Sequence, residues 1–274
     1  MMKRKYSLAH LGYLSLTPPQ LIYLAKGAGY DYASIRIILL GVKGEVNYDL
    51  SKNSELFALT KQAIEDTGIG IHDIELAKIS DESNVLNYES AFEAAAKLNV
   101  HHVISSIWTD NEPFYLEQFA KLCDLAAQYH INVGLEPVSF ASISTLKQAL
   151  DIIRTVDRTN AKILMDTLHF HRSGVKLDEI KEAPKDLFDF AHICDAPREI
   201  PLEKEALIHT ARDERLYVGE GGIDIADMAK CMRSDTVFSI ELPHTQRIAE
   251  LGHYEHARRC LESCKRYMKE HGVL

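Results

Sequence analysis

The chain has 274 residues, 46% hydrophobic and 26% charged, an ordinary balance for a globular protein with a large core. Acidic residues outnumber basic ones by 40 to 31, a formal net charge of −9. That excess argues against broad nucleic-acid binding, which relies on basic surface to displace counterions.

No apolar run approaches the ~20 residues of a membrane span, and the MMKRKYSLAH start lacks the apolar segment of a signal peptide. The five cysteines (Cys123, Cys194, Cys231, Cys260 and Cys264) form no CxxC pair and read as reduced structural thiols. The expectation is a cytoplasmic protein without a membrane or nucleic-acid partner.

In chain order, short Val/Ile/Leu-rich runs alternate with longer amphipathic stretches, the signature of repeated βα units. Strands are predicted near residues 7–11, 33–40, 70–78, 101–107, 132–137, 162–167, 190–195 and 236–242. Between the first two, Thr17-Pro18 with Gln20 reads as an N-cap, a proline at the first helical position and a capping-box partner. Helical spacing recurs at Tyr115, Phe119, Leu122, Ala126 and Tyr129, and again at Leu146, Ala149, Leu150, Ile153 and Val156. The last helix carries Ala257, Cys260, Leu261, Cys264 and Met268 on one face and stops before Gly272, a candidate C′ residue. No linker or composition break interrupts the pattern, so one domain is expected over 1–274. An open doubly wound sheet would place a glycine-rich phosphate turn after its first strand. Leu11-Gly12-Tyr13-Leu14-Ser15 has one glycine there, and eight regularly spaced strands favour an α/β fold of the closed type, a single (β/α)8 TIM barrel.

Four predicted strand ends carry a metal-capable side chain: Glu136, Asp166, His192 and Glu241, separated by 30, 26 and 49 residues. The first two intervals match one βα unit each, and the third needs an insertion, which residues 196–222 supply. Ionisable groups at the carboxyl ends of neighbouring parallel strands converge on one cavity. Three carboxylates and one imidazole suit one divalent cation, Mn²⁺ or Mg²⁺ first, with Co²⁺, Fe²⁺ or Zn²⁺ accepted. As isolated residues, each could equally well cap a helix or pair with a lysine. Together, three uncompensated buried carboxylates are too costly for that reading.

On these residues the sequence resembles the xylose-isomerase-like sugar isomerases and epimerases. Asp166-Thr167-Leu168-His169 and His192-Ile193-Cys194-Asp195-Ala196-Pro197-Arg198 reproduce two further family spacings, and Gly219-Glu220-Gly221-Gly222-Ile223-Asp224 resembles the family's glycine-rich turn. The resemblance implies that Glu136, Asp166, His192 and Glu241 bind the metal, that Glu136 and Glu241 exchange protons with carbon, and that His169 and Arg198 bind substrate. It implies a small sugar or sugar phosphate, isomerised or epimerised through a metal-stabilised enediolate, in an enzyme that commonly forms dimers or tetramers. Dehydratases of inosose or dehydroshikimate share the same framework and give the alternative reading. A non-catalytic metal- or sugar-binding protein would be expected to lose Glu136 or Glu241, and the apurinic endonucleases of the fold family need histidines that this sequence lacks.

Trp108, closing strand four, is a candidate wall for a sugar ring or else a core contact. His10, Asp73 and Glu75 are balanced between cavity and structural roles, while His101 and His102 read as structural. His171 reads as a surface-loop residue and Cys194 as packing. The GEGGID segment lacks a phosphate loop's lysine and reads as a turn with Asp224 as a helix N-cap.

Overall fold

The computed structural model describes residues 4–40 and 45–273. Residues 1–3, which hold part of the basic start, lie outside the described residues, as do 41–44 and 274. Eight parallel strands close into a barrel in sequence order: β1 (Tyr6–Leu8), β2 (Tyr32–Arg36), β3 (Gly70–Ile79), β4 (His102–Ile107), β5 (Asn132–Leu135), β6 (Ala161–Asp166), β7 (Phe188–Ile193) and β8 (Val237–Ile240). Closure is made by β1 pairing with β8, with Leu8 opposite Ile240.

The α-helices are α1 (Pro18–Ala28), α2 (Ser54–Thr67), α3 (Glu89–Lys97), α4 (Glu112–Gln128), α5 (Leu146–Val156), α6 (Thr167–Arg172), α7 (Leu177–Glu182), α8 (Lys204–Asp213), α9 (Ile225–Cys231) and α10 (Thr245–Glu270). Local chemistry sets their ends. The Thr17 backbone N–H donates to Gln20 Oε1 at 2.8 Å, the backward half of the expected capping box. Gly272 has φ +67°, which suits the residue that terminates α10. Gly252, at φ +76°, breaks α10 into two helical pieces.

Packing follows the sequence periodicity. Phe119, Leu122 and Ala126 of α4, and Ala257, Cys260, Leu261, Cys264 and Met268 of α10, are buried in the core between helices and barrel. Inside the barrel, Phe190, Ile104 and Leu164 form a separate apolar layer. Beneath it His72 and His102 stack at 4.7 Å, and His102 Nδ1 pairs with Asp189, so the structural reading of His102 holds.

Several strands, β1, β2, β5 and β8 among them, are shorter than the sequence suggests, and β1 and β2 lose most at their carboxyl ends. β1 stops at Leu8, and His10–Tyr13 forms a 3₁₀ turn over the barrel mouth. His10 is buried there: its Nδ1 accepts from the Arg36 backbone N–H at 2.9 Å, so Nε2 carries the proton donated to the Leu16 carbonyl at 2.9 Å. This histidine splices the end of β1 to the end of β2 and has no capacity left for a ligand. β2 stops at Arg36, after which the Leu40 N–H turns to the Glu45 carboxylate. All eight strands deliver their carboxyl ends to one mouth, and the site is built there.

Candidate metal centre and active site

Each of the four expected metal-capable residues sits within one residue of a strand end. Glu136 follows β5, its backbone N–H held by the Ser105 carbonyl at 2.8 Å. Asp166 ends β6 and caps α6, Oδ1 accepting from the backbone N–H of Leu168 (2.7 Å) and His169 (3.1 Å). His192 lies on β7 opposite Asp166 and Ser239, and Glu241 follows β8. All four are buried, and their ligand atoms lie within 4.8 Å of one another, the cluster of this kind found among the described residues.

His192 Nδ1 faces Glu241 Oε2 at 3.4 Å, Glu136 Oε1 at 3.5 Å and Asp166 Oδ2 at 3.8 Å. Those separations are long for hydrogen bonds. They match a coordination sphere, where atoms about 2.1 Å from one ion stand about 3.0–4.2 Å apart, from right-angled to opposite positions. Glu136 Oε1 and both His192 nitrogens are buried without a hydrogen-bond partner. Buried polar atoms are otherwise nearly always satisfied, so the donor set, its spacing and its orphaned atoms fit a divalent cation.

A fifth residue completes the cluster. Arg215, 1% exposed, gives Nη1 to Asp166 Oδ2 at 2.8 Å and Nη2 to Glu241 Oε2 at 2.7 Å, while its Nε bonds the Ala211 carbonyl at 2.8 Å. It offsets one of the three carboxylate charges and fixes the rotamers of two. Sequence reasoning missed it because Arg215 lies in the long insertion with no spacing signal. Its place just ahead of the GEGGID turn was the available hint.

Burial is the first influence on every ionisable group in the cluster. It lifts the Glu136 carboxyl to about 7, with His192 opposing and the neighbouring carboxylates adding to the rise. Burial works upward on Glu241 as well, but His192 and Arg215 outweigh it and hold this carboxyl well below the usual range. Asp166 is lowered the same way, chiefly by Arg215. Burial alone would lower His192, yet Glu241 and Glu136 raise it well above an ordinary histidine. A cation held by these residues would compete with a proton for the imidazole.

Beside the cluster lies a cavity of about 360 Å³, walled by Glu136, Glu241, His169, Trp108, Lys78 and Arg215 among others. His169 is where the sequence places it. Its Nδ1 accepts from the Ser139 N–H at 3.4 Å and lies 3.1 Å from Ser139 Oγ, which leaves the Nε2 proton for the cavity. Burial pushes its pKa down to about 4, so the ring is a neutral donor at pH 7. Trp108 also lines the cavity, its Nε1 donating to Ser106 Oγ at 2.8 Å. Glu75 lines it too, paired with Arg36 at 3.0 Å, whereas Asp73 lies fully buried and accepts from Ser34 Oγ.

Arg198 departs from expectation. Its side chain is 70% exposed and pairs with Asp224 at 3.5 Å, outside the cavity wall. The spacing from His192 is right, but the chain leaves the barrel at Pro197 and lies against Gly222, whose added Cβ would meet Arg198 Cβ at 2.6 Å. Asp224 precedes α9 as expected, yet its side chain makes no cap hydrogen bond. His171 lies on α6 rather than in a loop, beside Arg172 Nη1 at 3.0 Å and away from the cavity wall. Cys194 is packing, as expected: fully buried, its thiol pushed up to about 12 by burial.

The glycine-rich turn binds a carboxylate of the chain itself. Asp195 Oδ2 accepts from Gly219 N and Gly221 N at 2.9 Å, and Oδ1 accepts from Ile223 N at 3.2 Å and Ala196 N at 2.8 Å. Gly221 is required: a Cβ there would stand 2.2 Å from the Ala196 carbonyl oxygen. This loop fixes Asp195, just beyond β7 and three residues from His192.

The family model described as the xylose isomerase-like TIM barrel matches residues 22–264. The chain belongs to that family. An inosose isomerase of Bacillus velezensis is 25% identical over 171 residues, covering 58% of this chain and 59% of the relative. A 3-dehydroshikimate dehydratase of Pseudomonas aeruginosa is 26% identical over 149 residues, 52% of this chain and 23% of the relative. The match thus spans less than two thirds of either relative's length. Among solved structures, the IOLI protein with a bound zinc atom superposes with a TM-score of 0.82 at 20% identity, over 97% of this chain and 99% of that one. D-allulose 3-epimerase from Methylomonas sp., in complex with D-allulose, gives 0.71 at 18% identity over 97% and 98%. At these identities the structural matches establish the fold. No helix among the described residues is long and apolar enough to cross a membrane.

Proposed function

We propose that the protein is a divalent-metal-dependent isomerase or epimerase of a small sugar-like substrate, moving a proton at the carbon beside a carbonyl. The observation that carries this reading is the convergence of Glu136, Asp166, His192 and Glu241 within 4.8 Å at the mouth of the barrel, open to a cavity of about 360 Å³. Those four residues would hold the cation, with Mn²⁺ or Mg²⁺ favoured by three oxygen donors to one nitrogen. When bound, the cation would polarise the substrate carbonyl and acidify the neighbouring C–H bond.

The remaining work belongs to side chains. Glu136 and Glu241 both reach the cluster and line the cavity, from the ends of β5 and β8, three strands apart around the barrel. A substrate between them meets one carboxylate on each side, so one removes a proton and the other returns it. Return to the opposite face of the same carbon epimerises, and return to the adjacent carbon isomerises. His169 Nε2–H donates to a substrate oxygen, and its neutral state keeps it from repelling the cation. Arg215 holds Asp166 and Glu241 in register throughout.

Similarity to a dehydratase supports a second outcome of the same first step, in which the deprotonated substrate expels a β-hydroxyl. Deuterium uptake from D2O into candidate ketones and ketoses, measured with Mn²⁺-loaded protein, tests the shared step. Absence of uptake from every bound compound sinks the reading.

A further inference from the structure

We infer that the substrate carries an anionic oxygen group, a carboxylate or a phosphate, that docks on Lys78. The inference rests on the metal-assisted proton transfer proposed above and narrows its substrate class. Most charges on the cavity wall are already matched. Arg36 pairs with Glu75, Arg215 with Asp166 and Glu241, and Asp213 accepts from Thr245 Oγ1 at 3.0 Å. Two cations on the wall have no carboxylate partner among the described residues: Lys78 at the end of β3 and the exposed Arg212 at the end of α8.

Lys78 is a prepared donor. Its backbone carbonyl accepts from the Tyr88 hydroxyl at 2.7 Å and from Ser83 Oγ at 3.3 Å, which fixes the root of the side chain. Its Nζ lies 4.9 Å from the Trp108 ring centroid, and Trp108 is itself pinned by Ser106. A ring face steadies an ammonium without consuming its N–H donors, so all three remain for a ligand.

Position and lining agree with this role. Lys78 pairs with Ser106 across β3–β4, and the Glu136 N–H bonds the Ser105 carbonyl on the other side of β4. The two residues therefore flank one strand at nearly one level, about 10 Å apart at the backbone from the interstrand spacing. One small molecule can reach the metal cluster with a carbonyl and Lys78 with an anion. Leu11, Leu14, Leu40, Leu76, Val138 and Phe140 form much of the remaining wall. A neutral hexose would press several hydroxyls against these side chains unpaired, whereas a compact acid or phosphate ester places its strongest acceptor on Lys78. With a net charge of −9, the whole molecule repels anions, so selectivity for them has to be local.

The test is calorimetric binding to Mn²⁺-loaded protein of 3-dehydroshikimate, a neutral inosose, a free ketose and its phosphate ester, in wild type, Lys78→Met and Lys78→Arg. At least one anion should bind tenfold or more tighter than the neutral compounds, and the two anions separate carboxylate from phosphate. Lys78→Met should weaken that anion 10- to 100-fold at unchanged metal content, and Lys78→Arg should keep it within about threefold. The inference is overturned if a neutral compound binds as well as both anions, if no anion binds at millimolar concentration, or if Lys78→Met weakens neutral and anionic compounds alike. Binding is read without turnover. Tight anion binding without deuterium uptake would therefore contradict the proposed reaction and leave the anion site standing.

Discussion

Replacing Arg215 with Met removes the cation that separates two buried carboxylates, and the size of the effect follows from the geometry. Asp166 and Glu241 are 0% and 4% exposed, and they lose partners at 2.8 Å and 2.7 Å. Breaking a buried ion pair by deleting one member costs about 3–5 kcal/mol, because the survivor is left uncompensated. For a domain of this size each kcal/mol lowers Tm by about 2–4 °C, so the metal-free variant should melt roughly 10 °C below wild type. A divalent ion held in the cluster would supply compensating charge to the same carboxylates. Added Mn²⁺ should therefore raise the Tm of Arg215→Met by more than it raises that of wild type. The assay is thermal unfolding followed by circular dichroism in EDTA and at graded Mn²⁺, with metal affinity from calorimetry. A deficit below about 1 kcal/mol, or one that Mn²⁺ leaves unchanged, would refute the assignment of Arg215 as the charge partner of the ligands.

Glu136→Gln and Glu241→Gln keep an oxygen donor but lose the proposed base, and each should cut turnover at least about 10²-fold while retaining some metal; near-wild-type rates in both metal-loaded variants would end the two-glutamate scheme. Burial holds His10 and His256 near pKa 4, against about 6.5 when unfolded, so their contribution is present above pH 6.5 and lost as pH falls towards 4. In urea unfolding of the metal-free protein between pH 7 and 5 each of these histidines should subtract up to about 1.4 kcal/mol per pH unit, against an opposite contribution from the raised Glu136 carboxyl, and His256→Asn should remove one histidine's share of the slope. An unchanged slope in that variant would contradict the assignment. Gly221→Ala drives a Cβ to 2.2 Å from the Ala196 carbonyl oxygen and 2.4 Å from Asp195 Oδ1, and should cost more than about 2 kcal/mol in chemical denaturation. Wild-type stability in that variant would mean the loop has room that the structure denies.

The barrel was legible because its period is written in the apolar residues: eight β-rich runs, each followed by a stripe such as Phe119, Leu122 and Ala126, leave few other ways to bury the pattern. The four clustered residues were legible for a related reason, since parallel strands deliver their ends to one mouth and spacing alone says which residues arrive there. The misses are residues whose position depends on loop geometry. Arg215 reaches the cluster from an insertion whose path is set by backbone pairing of Asp195 with Leu216 and Glu214 with His244. Arg198 keeps its spacing from His192 yet is turned outward by the wrap of the glycine-rich loop. Asp195 is the hub of that wrap, and four backbone N–H groups converging on one carboxylate leave no periodic trace in a sequence. Lys78 was hidden because a lysine ending a strand is ordinarily a solvated charge; only the closed barrel sets it beside Trp108 and the cavity.

Diffraction from crystals soaked in Mn²⁺, recorded to capture manganese anomalous scattering, tests the central claim most directly. One peak is predicted, about 2.0–2.3 Å from a carboxylate oxygen of Glu136, Asp166 and Glu241 and from His192 Nδ1. No peak at saturating Mn²⁺, or a peak held by other residues, would contradict a metal centre at this mouth of the barrel.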